Sequence, residues 1–378
     1  MANKYLDANA LIAMVNKQFG ANTLVRAKDA IGLVKPRLST GSFALDLLMG
    51  GGYPEGAITL LEGESGSSKS WMLHNFARRF LEKHPGGVYI CVNAEGTNDT
   101  PFLEMLGVDT SRTFFLSPDS GEQMWDAAIM AATHSEKVFI GVDSLDACVP
   151  TTEIDGDVGD QKYAPAAKMN NKGFRKLIGA MKSDITSLNQ RVTFVVITQL
   201  RDAIGVMFGD GKVAVGGKGK KFAAMSIIRL ARIKALRSED EKVTIKKTYG
   251  LEIEATISKN KGWGEGDKVR FILYKENYEG FRRGQIDNVT ELIPYLLMNK
   301  IAEKAGAWIT LGTDRYQGDK ELADQLRVND ELREWCIARV QEAHAVRYAK
   351  DPVAAEAPAA TVKSTQGVNR LKSLKKGK

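Results

Sequence analysis

Between residues 57 and 198 the sequence alternates short apolar runs with longer amphipathic stretches. The apolar runs are "AITLL", "GVYICV", "KVFIGV" and "VTFVVIT". The segments between them, such as "SWMLHNFARRFLEK" and "EQMWDAAIMAATH", carry apolar residues at helical spacing. Because strands that are apolar throughout need cover on both faces, the pattern indicates a mostly parallel sheet between two layers of helices. The fold class is therefore predicted to be α/β.

The segments on either side of this region follow other patterns. In residues 1–36, "LIAMVNKQF" predicts a short N-terminal helix that could dock on its own core or mediate oligomerisation. The core is predicted to span residues 37–285, and "MSIIRLARIKAL", "LEIEATISK" and "KVRFILYK" predict an antiparallel continuation of its sheet. Residues 286–349 are predicted to form a small C-terminal α+β unit, with "VTELIPYLLMNKIAEKAG" and "NDELREWCIARVQEAHAVRYA" as its helices.

The charge of the chain bears on its partners. The formal net charge is +7 at pH 7, and six cations without any acid lie in "TVKSTQGVNRLKSLKKGK", residues 361–378. A Pro/Ala-rich stretch precedes them, so residues 350–378 are predicted to be a disordered basic tail. Such a tail either aids solubility or tethers nucleic acid, and the charge run alone does not separate the two.

Several classes of protein are excluded or not indicated. No run approaches the roughly 18 to 20 apolar residues of a membrane span, and the start "MANKYLDANA" lacks the layout of a signal peptide. We therefore expect a cytoplasmic protein without a membrane partner. Cys91, Cys148 and Cys336 form no C-x-x-C pair, and the histidines form no ligand pattern, so neither a disulfide frame nor a zinc site is expected.

The stretch "GESGSSKS" nearly matches the phosphate-binding pattern G-x-x-x-x-G-K-[ST], and it lies between a β run and a helical pattern. In such a loop the backbone amides and the helix N-terminus face a polyphosphate, a lysine neutralises the β- and γ-phosphates, and a serine holds Mg²⁺. Ser68 replaces the usual second glycine, at a cost of roughly 1 kcal/mol if the position needs a positive φ. The predicted ATP-binding residues here are Gly63, Glu64, Ser65, Gly66, Ser67, Ser68, Lys69, Ser70 and Trp71, with Ser70 as a Mg²⁺ ligand.

Polar residues follow three further apolar strands. Asp143, with Ser144 after it, ends "VFIGV" at the sheet edge where open α/β sheets bind ligands. Its carboxylate could take a water of the Mg²⁺ shell, and a turn cap is the alternative interpretation. Glu95 is a candidate general base for a water, with a surface-loop glutamate equally compatible. Gln199 could sense a phosphate oxygen by a hydrogen bond.

A glycine- and lysine-rich segment follows Gln199. Residues 205–221, "GVMFGDGKVAVGGKGKK", contain six glycines and four lysines against one aspartate, so they cannot pack a core. The segment is either a surface hairpin without fixed structure or a loop that orders on phosphates and inserts Val206, Met207 or Phe208 among bases. A long helix is predicted before it, around "AKMNNKGFRKLIGAMKSDITS".

In ordered detail the sequence resembles the RecA family of bacterial recombinases. The runs "LSTGSFALDLLMGGGYPEGAITLLEG", "NAEGTNDTPFLEMLGVD", "PDSGEQ", "VDSLDACVP", "EIDGDVGD", "IGVMFGD", "KNK" and "EKAGAW" occur in the order of that family, over about residues 11–348. The resemblance implies a RecA-type P-loop ATPase core. It also implies an ATP-dependent DNA recombinase that forms helical filaments on single-stranded DNA and catalyses homologous pairing and strand exchange with double-stranded DNA.

The resemblance further implies roles for individual residues. Lys69 and Ser70 would bind phosphates and Mg²⁺, Glu95 would be the catalytic carboxylate, and Gln199 would sense the γ-phosphate. Asp99, Phe102 and Tyr274 match adenine-side positions. Lys259 and Lys261 match lysines that reach the ATP of the adjacent protomer, and Phe222 matches a ring that packs on a neighbouring subunit. The implied DNA-binding residues, with loops near 153–165 and 203–221, are Lys168, Lys172, Arg175, Arg201, Gly205, Val206, Met207, Phe208, Gly216 and Gly217.

The sequence departs from the family in three respects. Ser68 replaces a glycine, the tail is basic where the best-known members are acidic, and "RSEDEKVTIKKTYG" and "TDRYQGDK" look like insertions. These departures suggest a distant, phage-encoded member of the family. The resemblance itself implies single-strand-binding and loader proteins as further partners. Two alternatives stay open from the residues alone: a helicase-type motor of the same fold, and an ATP-binding protein that coats DNA with little hydrolysis.

Overall fold

One large mixed sheet organises the protein in the computed structural model, which describes residues 6–156, 165–182, 185–187, 190–202, 212–214, 219–238 and 247–349. The strands are β1 Arg37–Leu38, β2 Tyr53–Pro54, β3 Ile58–Gly63, β4 Val88–Asn93, β5 Thr113–Leu116, β6 Val138–Asp143, β7 Val192–Asp202, β8 Lys212–Ala214, β9 Ser226–Arg237, β10 Thr248–Asn260, β11 Lys268–Tyr274, β12 Ala302–Ala305, β13 Trp308–Leu311 and β14 Asp314–Gln317. The helices are α1 Ala8–Phe19, α2 Phe43–Leu48, α3 Lys69–Lys83, α4 Thr100–Met105, α5 Gly121–His134, α6 Thr151–Ile154, α7 Pro165–Ala180, α8 Gly219–Ala223, α9 Asn288–Met298, α10 Gly318–Val328 and α11 Asp330–Ala349.

The strand order of the large sheet is β11-β10-β9-β3-β7-β6-β4-β5, with β8 paired to β7. The strands from β9 to β5 along this order pair in parallel, whereas β9, β10 and β11 pair antiparallel. This arrangement confirms the predicted parallel sheet with an antiparallel continuation. Because β3, β4, β6 and β7 are parallel neighbours, their carboxyl ends meet at one edge of the sheet.

Two apolar layers cover the sheet, as the uninterrupted apolar runs predicted. One layer packs α3 side chains such as Phe76 against Leu61 and Ile197, and the other packs α5 and α7 against the opposite face of the same strands. In the second layer α7 approaches α5 so closely that a Cβ at Gly173 would collide with the Trp125 ring. The helix α7 ends at Ala180, earlier than the predicted span through residue 187.

The C-terminal unit differs from its predicted helices. The first predicted helix ends at Met298, and residues 302–305 instead form β12, which pairs antiparallel with β13. Lys300 adopts φ 55°, a left-handed conformation that a helix does not continue through. The supposed insertion "TDRYQGDK" supplies β14 and the start of α10. The unit thus combines a three-stranded sheet with α9, α10 and α11, in agreement with its α+β class.

The N-terminal helix α1 contributes no buried residue to the single chain. Its apolar side chains Leu11, Met14 and Phe19 are exposed. Within the described ranges, none of the helices is sufficiently long and apolar to cross a membrane.

Candidate functional site

A cavity of about 350 Å³ lies at the carboxyl edge of β3, β4, β6 and β7, where the sequence placed its polar residues. The turn after β3, the start of α3 and the residues after the other strands form its wall. The lining residues are Ser65, Gly66, Ser68, Lys69, Ser70, Trp71, Glu95, Thr97, Asn98, Phe102, Asp143, Ile197, Gln199 and Lys275.

The turn between β3 and α3 is folded around its own lysine. Lys69 Nζ donates a hydrogen bond of 2.6 Å to the carbonyl oxygen of Glu64, and Ser67 Oγ donates one of 2.8 Å to the same oxygen. A Cβ at Gly63 would lie only 2.5 Å from the carbonyl oxygen of Leu230, so this position requires glycine. Since α3 begins at Lys69, its N-terminal amides open into the cavity wall, an arrangement that binds anions.

Ser68 occupies a left-handed conformation, with φ 68° and ψ 27°. The cost of roughly 1 kcal/mol expected for serine at a positive φ therefore applies to this position. Ser68 Oγ is also buried without a hydrogen-bond partner among the described residues. The loop forms despite both features. Serine at this position therefore lowers the stability of the loop and leaves the shape of the site unchanged.

Three carboxylates surround the lysine. Burial lowers the pKa of Lys69, and the charges of Asp143, Glu95 and Asp146 act in the opposite direction. Asp143 is buried and accepts a hydrogen bond of 3.2 Å from Asn98 Nδ2. The exposed Glu95 accepts a hydrogen bond from Ser144 Oγ. The cavity thus combines a cation for phosphates with oxygen ligands of the kind that Mg²⁺ prefers, the Ser70 hydroxyl and the Asp143 carboxylate.

Gln199 lies at the cavity on β7, and its backbone is held by a residue that the sequence analysis missed. The N–H of Gln199 donates a hydrogen bond of 2.6 Å to Asp146 Oδ2. Burial raises the pKa of Asp146, against the Gln199 hydrogen bond and the charges of Lys220 and Arg201. Lys220, on α8, is fully buried. A lysine inside a glycine-rich segment gave no local signal that its side chain would be buried.

One end of the cavity is aromatic. The rings of Trp71 and Phe102 meet edge to face with centroids 5.5 Å apart. Lys275 reaches this end, with Nζ 3.4 Å from the centroid of the Trp71 ring. Lys275 was not among the predicted ligand-facing residues, because the family resemblance marked the adjacent Tyr274 in its place.

Two of the adenine-side expectations fall elsewhere. Asp99 is exposed and caps α4 by accepting a hydrogen bond of 2.8 Å from the Phe102 N–H, and it does not line the cavity. Tyr274 is buried away from the cavity, where its ring stacks 4.2 Å from that of Phe281. Since successive side chains of a strand point to opposite faces, the position that reaches the cavity is Lys275.

Lys259 and Lys261 do not line the cavity of their own chain. Lys259, near the end of β10, donates a hydrogen bond of 2.5 Å to the carbonyl oxygen of Lys221, and Lys261 is exposed. Burial lowers the pKa of Lys259, and the neighbouring charge of Lys261 adds to this effect.

The predicted DNA-binding residues are only partly described. On α7, Lys168, Lys172 and Arg175 are exposed at positions spaced by four and three residues, so they share one helix face. Arg201 is exposed on β7. Gly205, Val206, Met207, Phe208, Gly216 and Gly217 lie outside the described residues, as do parts of the loops at 153–165 and 203–221.

Comparison with known proteins decides the family. A family model described as the RecA N-terminal domain matches residues 6–263. The chain belongs to the RecA family. Protein RecA of Rubrobacter xylanophilus is 32% identical over 344 residues, covering 90% of this chain and 93% of the relative. Protein RecA of Nocardioides sp. is 31% identical over 360 residues, covering 94% and 96%.

A third relative, protein RecA of Colwellia psychrerythraea, is 32% identical over 327 residues, covering 86% of this chain and 88% of the relative. As a member of the RecA family the chain is an ATP-dependent DNA recombinase with DNA-dependent ATPase and strand-exchange activity. A helicase-type motor and a DNA coat without hydrolysis are not favoured. The P-loop geometry of the cavity agrees with this activity.

Proposed function

We propose that the cavity between α3 and the ends of β4, β6 and β7 is the ATP site of this recombinase and takes Mg²⁺ with the nucleotide. The observation that carries the proposal is the meeting of Lys69, Glu95, Asp143 and Gln199 at one cavity, although they come from four separate segments. Lys69 and the α3 amides would bind the phosphates, and Ser70 and Asp143 would hold Mg²⁺. When bound, the ion neutralises charge on the β- and γ-phosphates.

The side chains divide the chemistry between them. Glu95, exposed at the cavity and held by Ser144, accepts a proton from the attacking water and orients it. Gln199 hydrogen-bonds the γ-phosphate, and its backbone link to Asp146 fixes the side chain relative to the Asp143 turn. Loss of the γ-phosphate removes that hydrogen bond, which couples hydrolysis to the segment after β7.

Measurement of ATP turnover with and without single-stranded DNA tests this assignment. We expect DNA to stimulate turnover in the wild-type chain, and Lys69→Ala to abolish both turnover and ATP-dependent DNA binding. Lys304→Ala is a matched control, because Lys304 forms an exposed ion pair with Asp319 in the C-terminal unit and does not line the cavity. Tight ATP-dependent filaments formed by Lys69→Ala would refute the site, and turnover that DNA does not stimulate would refute the recombinase mechanism.

We further propose that Lys259 and Lys261 serve the ATP of a neighbouring copy in a helical filament. Neither lines its own cavity, Lys261 is exposed and Lys259 is half-buried beside it, and a cation can be supplied in trans to a developing phosphate charge. The test mixes two inactive variants, Lys69→Ala and the double variant Lys259→Ala/Lys261→Ala. Because the first supplies intact lysines to the intact cavity of the second, the mixture should hydrolyse ATP faster than either alone. Turnover by the mixture that is no higher than the sum of the turnovers of the two separate variants would contradict the proposal.

We place single- and double-stranded DNA against the exposed face of α7 that carries Lys168, Lys172 and Arg175, together with Arg201 and the loop residues beyond it. Phe222, 79% exposed on α8, would pack on the neighbouring copy of the filament, as would the exposed apolar residues of α1. Single-strand-binding and loader proteins are proposed as further partners. The proposed location is the cytoplasm, that of the host if the chain is encoded by a phage.

A further inference from the structure

Lys275 gives the ATP cavity a second cation, beside the Trp71 ring. It directly follows β11, and its backbone N–H donates a hydrogen bond of 2.8 Å to the carbonyl oxygen of Tyr249. This bond fixes the residue at the rim, and its ammonium lies 3.4 Å from the centroid of the Trp71 ring. Both side chains line the same cavity as Lys69.

The surroundings of this ammonium favour a ligand. In the part of the chain that the structure describes, no carboxylate forms an ion pair with Lys275. The neighbouring carboxylate, that of Glu276, pairs with Lys247 at 3.6 Å. Arg283 stands over the same ring, 5.8 Å from its centroid. Burial lowers the pKa of Lys275 to about 8, Arg283 adds to this effect, and Glu276 opposes it. An electron-rich ligand group would therefore stabilise the charged form.

The architecture of the cavity indicates which part of ATP that group belongs to. The phosphates occupy the turn and the α3 N-terminus, where Lys69 and the backbone amides lie. The aromatic wall of Trp71 and Phe102 is left for the apolar, planar part of the nucleotide. Lys275 stands at this wall, so its ammonium would face the ring nitrogens of the base.

We propose that Lys275 is a base-contacting residue, which lies at the edge of the nucleobase at the Trp71–Phe102 end of the cavity and donates a hydrogen bond to a ring nitrogen. The inference rests on the proposed ATP site. Attraction of the cation to the Trp71 face, 3.4 Å away, would hold the ammonium in position for this hydrogen bond. Lys275 would thereby recognise the base of the nucleotide, while the phosphate-binding turn recognises its phosphates.

Calorimetric binding by the full chain tests the proposal with ATP, ADP and inorganic tripolyphosphate, which has no base. Lys275→Met removes the charge and keeps an unbranched side chain that is one atom shorter. It should weaken ATP and ADP binding by about tenfold, the loss expected for one hydrogen bond to a charged group, and leave tripolyphosphate binding unchanged. Lys275→Arg should retain most of the affinity. Lys247→Met, which removes a nearby exposed cation outside the cavity, should change nothing.

The pH dependence supplies a second measurement. The Lys275 contribution is fully present below about pH 7 and is lost as the pH rises through about 8, so the affinity ratio of wild type to Lys275→Met should fall towards one over this range. Equal losses for ATP and tripolyphosphate would mean that the lysine contacts phosphates and would overturn the proposal. Unchanged ATP affinity in Lys275→Met would also overturn it. If the wild type fails to bind ATP, the ATP site itself is refuted.

Discussion

The turn that holds Lys69 carries a serine where the backbone is left-handed. Ser68 has φ 68°, and its hydroxyl is buried without a partner among the described residues. Glycine adopts this conformation without the steric cost that a Cβ brings. The geometry of the turn is nevertheless complete, because Glu64, Ser67 and Lys69 hydrogen-bond one another. Serine in place of glycine at position 68 therefore lowers the stability of the loop and leaves its geometry intact.

We expect Ser68→Gly to raise the free energy of unfolding by roughly 1 kcal/mol, since it removes the left-handed strain and a buried hydroxyl without a partner. Chemical unfolding followed by circular dichroism measures the change. Ser65→Gly is the matched control, because Ser65 lies in the same turn without a positive φ and should gain no stability. Equal stability of the wild type and Ser68→Gly would show that the loop carries no such strain.

Asp146 acts on the cavity through the backbone of Gln199. Its carboxylate accepts the Gln199 N–H, and its charge faces the buried Lys220. Asp146→Ala should reduce DNA-stimulated ATP turnover about tenfold, because a hydrogen bond to a charged group is lost. Asp146→Asn keeps an acceptor oxygen and should restore most of the turnover.

The comparison of these two variants separates positioning from charge. If Asp146→Asn is as impaired as Asp146→Ala, the charge that faces Lys220 matters more than the hydrogen bond to Gln199. If neither variant affects turnover at saturating ATP and DNA, Asp146 does not position Gln199.

At the scale of elements, the joint between the core and the C-terminal unit depends on a buried acid. Glu291 on α9 accepts hydrogen bonds of 2.8 Å from Ser42 Oγ and 2.7 Å from the Ala44 N–H at the start of α2. Burial raises its pKa to about 8, although both hydrogen bonds act in the opposite direction. The contact joins helices that are far apart in the sequence, and no local pattern announces it.

This joint predicts a pH dependence of stability. Between the ordinary pKa of 4.5 and about 8, folded Glu291 holds a proton that the unfolded chain releases, so its contribution to stability is lost as the pH rises through this window. The wild type should lose roughly 1 to 2 kcal/mol between about pH 6 and about pH 8. Glu291→Gln stays neutral, keeps an acceptor and should flatten the curve. Glu303→Gln, on an exposed strand, should leave it unchanged, and identical curves for all three proteins would contradict the assignment.

The elements also show where sequence patterns succeed. Period-two and period-3.6 patterns are local, so the core strands and α3 and α5 were predicted close to their observed positions. The pattern failed at residues 302–305, where pairing with β13 overrode an apparent helix, and at the C-terminal end of α7. Pairing partners that lie elsewhere in the chain decide such segments, and periodicity does not report them.

For the whole molecule, the distribution of charge sets the response to salt. Residues 362–378 carry six cations and no acid, and they lie outside the described residues. If they contact DNA, removing them should lower the slope of log affinity against log salt by up to about 4 on single-stranded DNA, since each neutralised phosphate releases condensed counterions. Filter binding over a range of salt concentrations measures the slope.

A variant of the same length with glutamine at the six positions is the control for deletion. It should match the truncated chain if charge alone is responsible. An unchanged slope in both proteins would show that the tail does not touch DNA, which would leave solubility as its role.

The sequence by itself determined the α/β class, the phosphate-binding turn and the polar residues that end β4, β6 and β7, because each of these depends on local periodicity or on a short motif. Only the tertiary structure decided which residues share the cavity. Lys275 comes to it from a distant segment and Asp146 holds the backbone of Gln199 there, while Asp99 and Tyr274 do not line it. The physical reason is that side-chain direction at a cavity is set by long-range contacts and strand register. The serine of "GESGSSKS" joins both levels: the motif identified its position, and the fold fixed its positive φ.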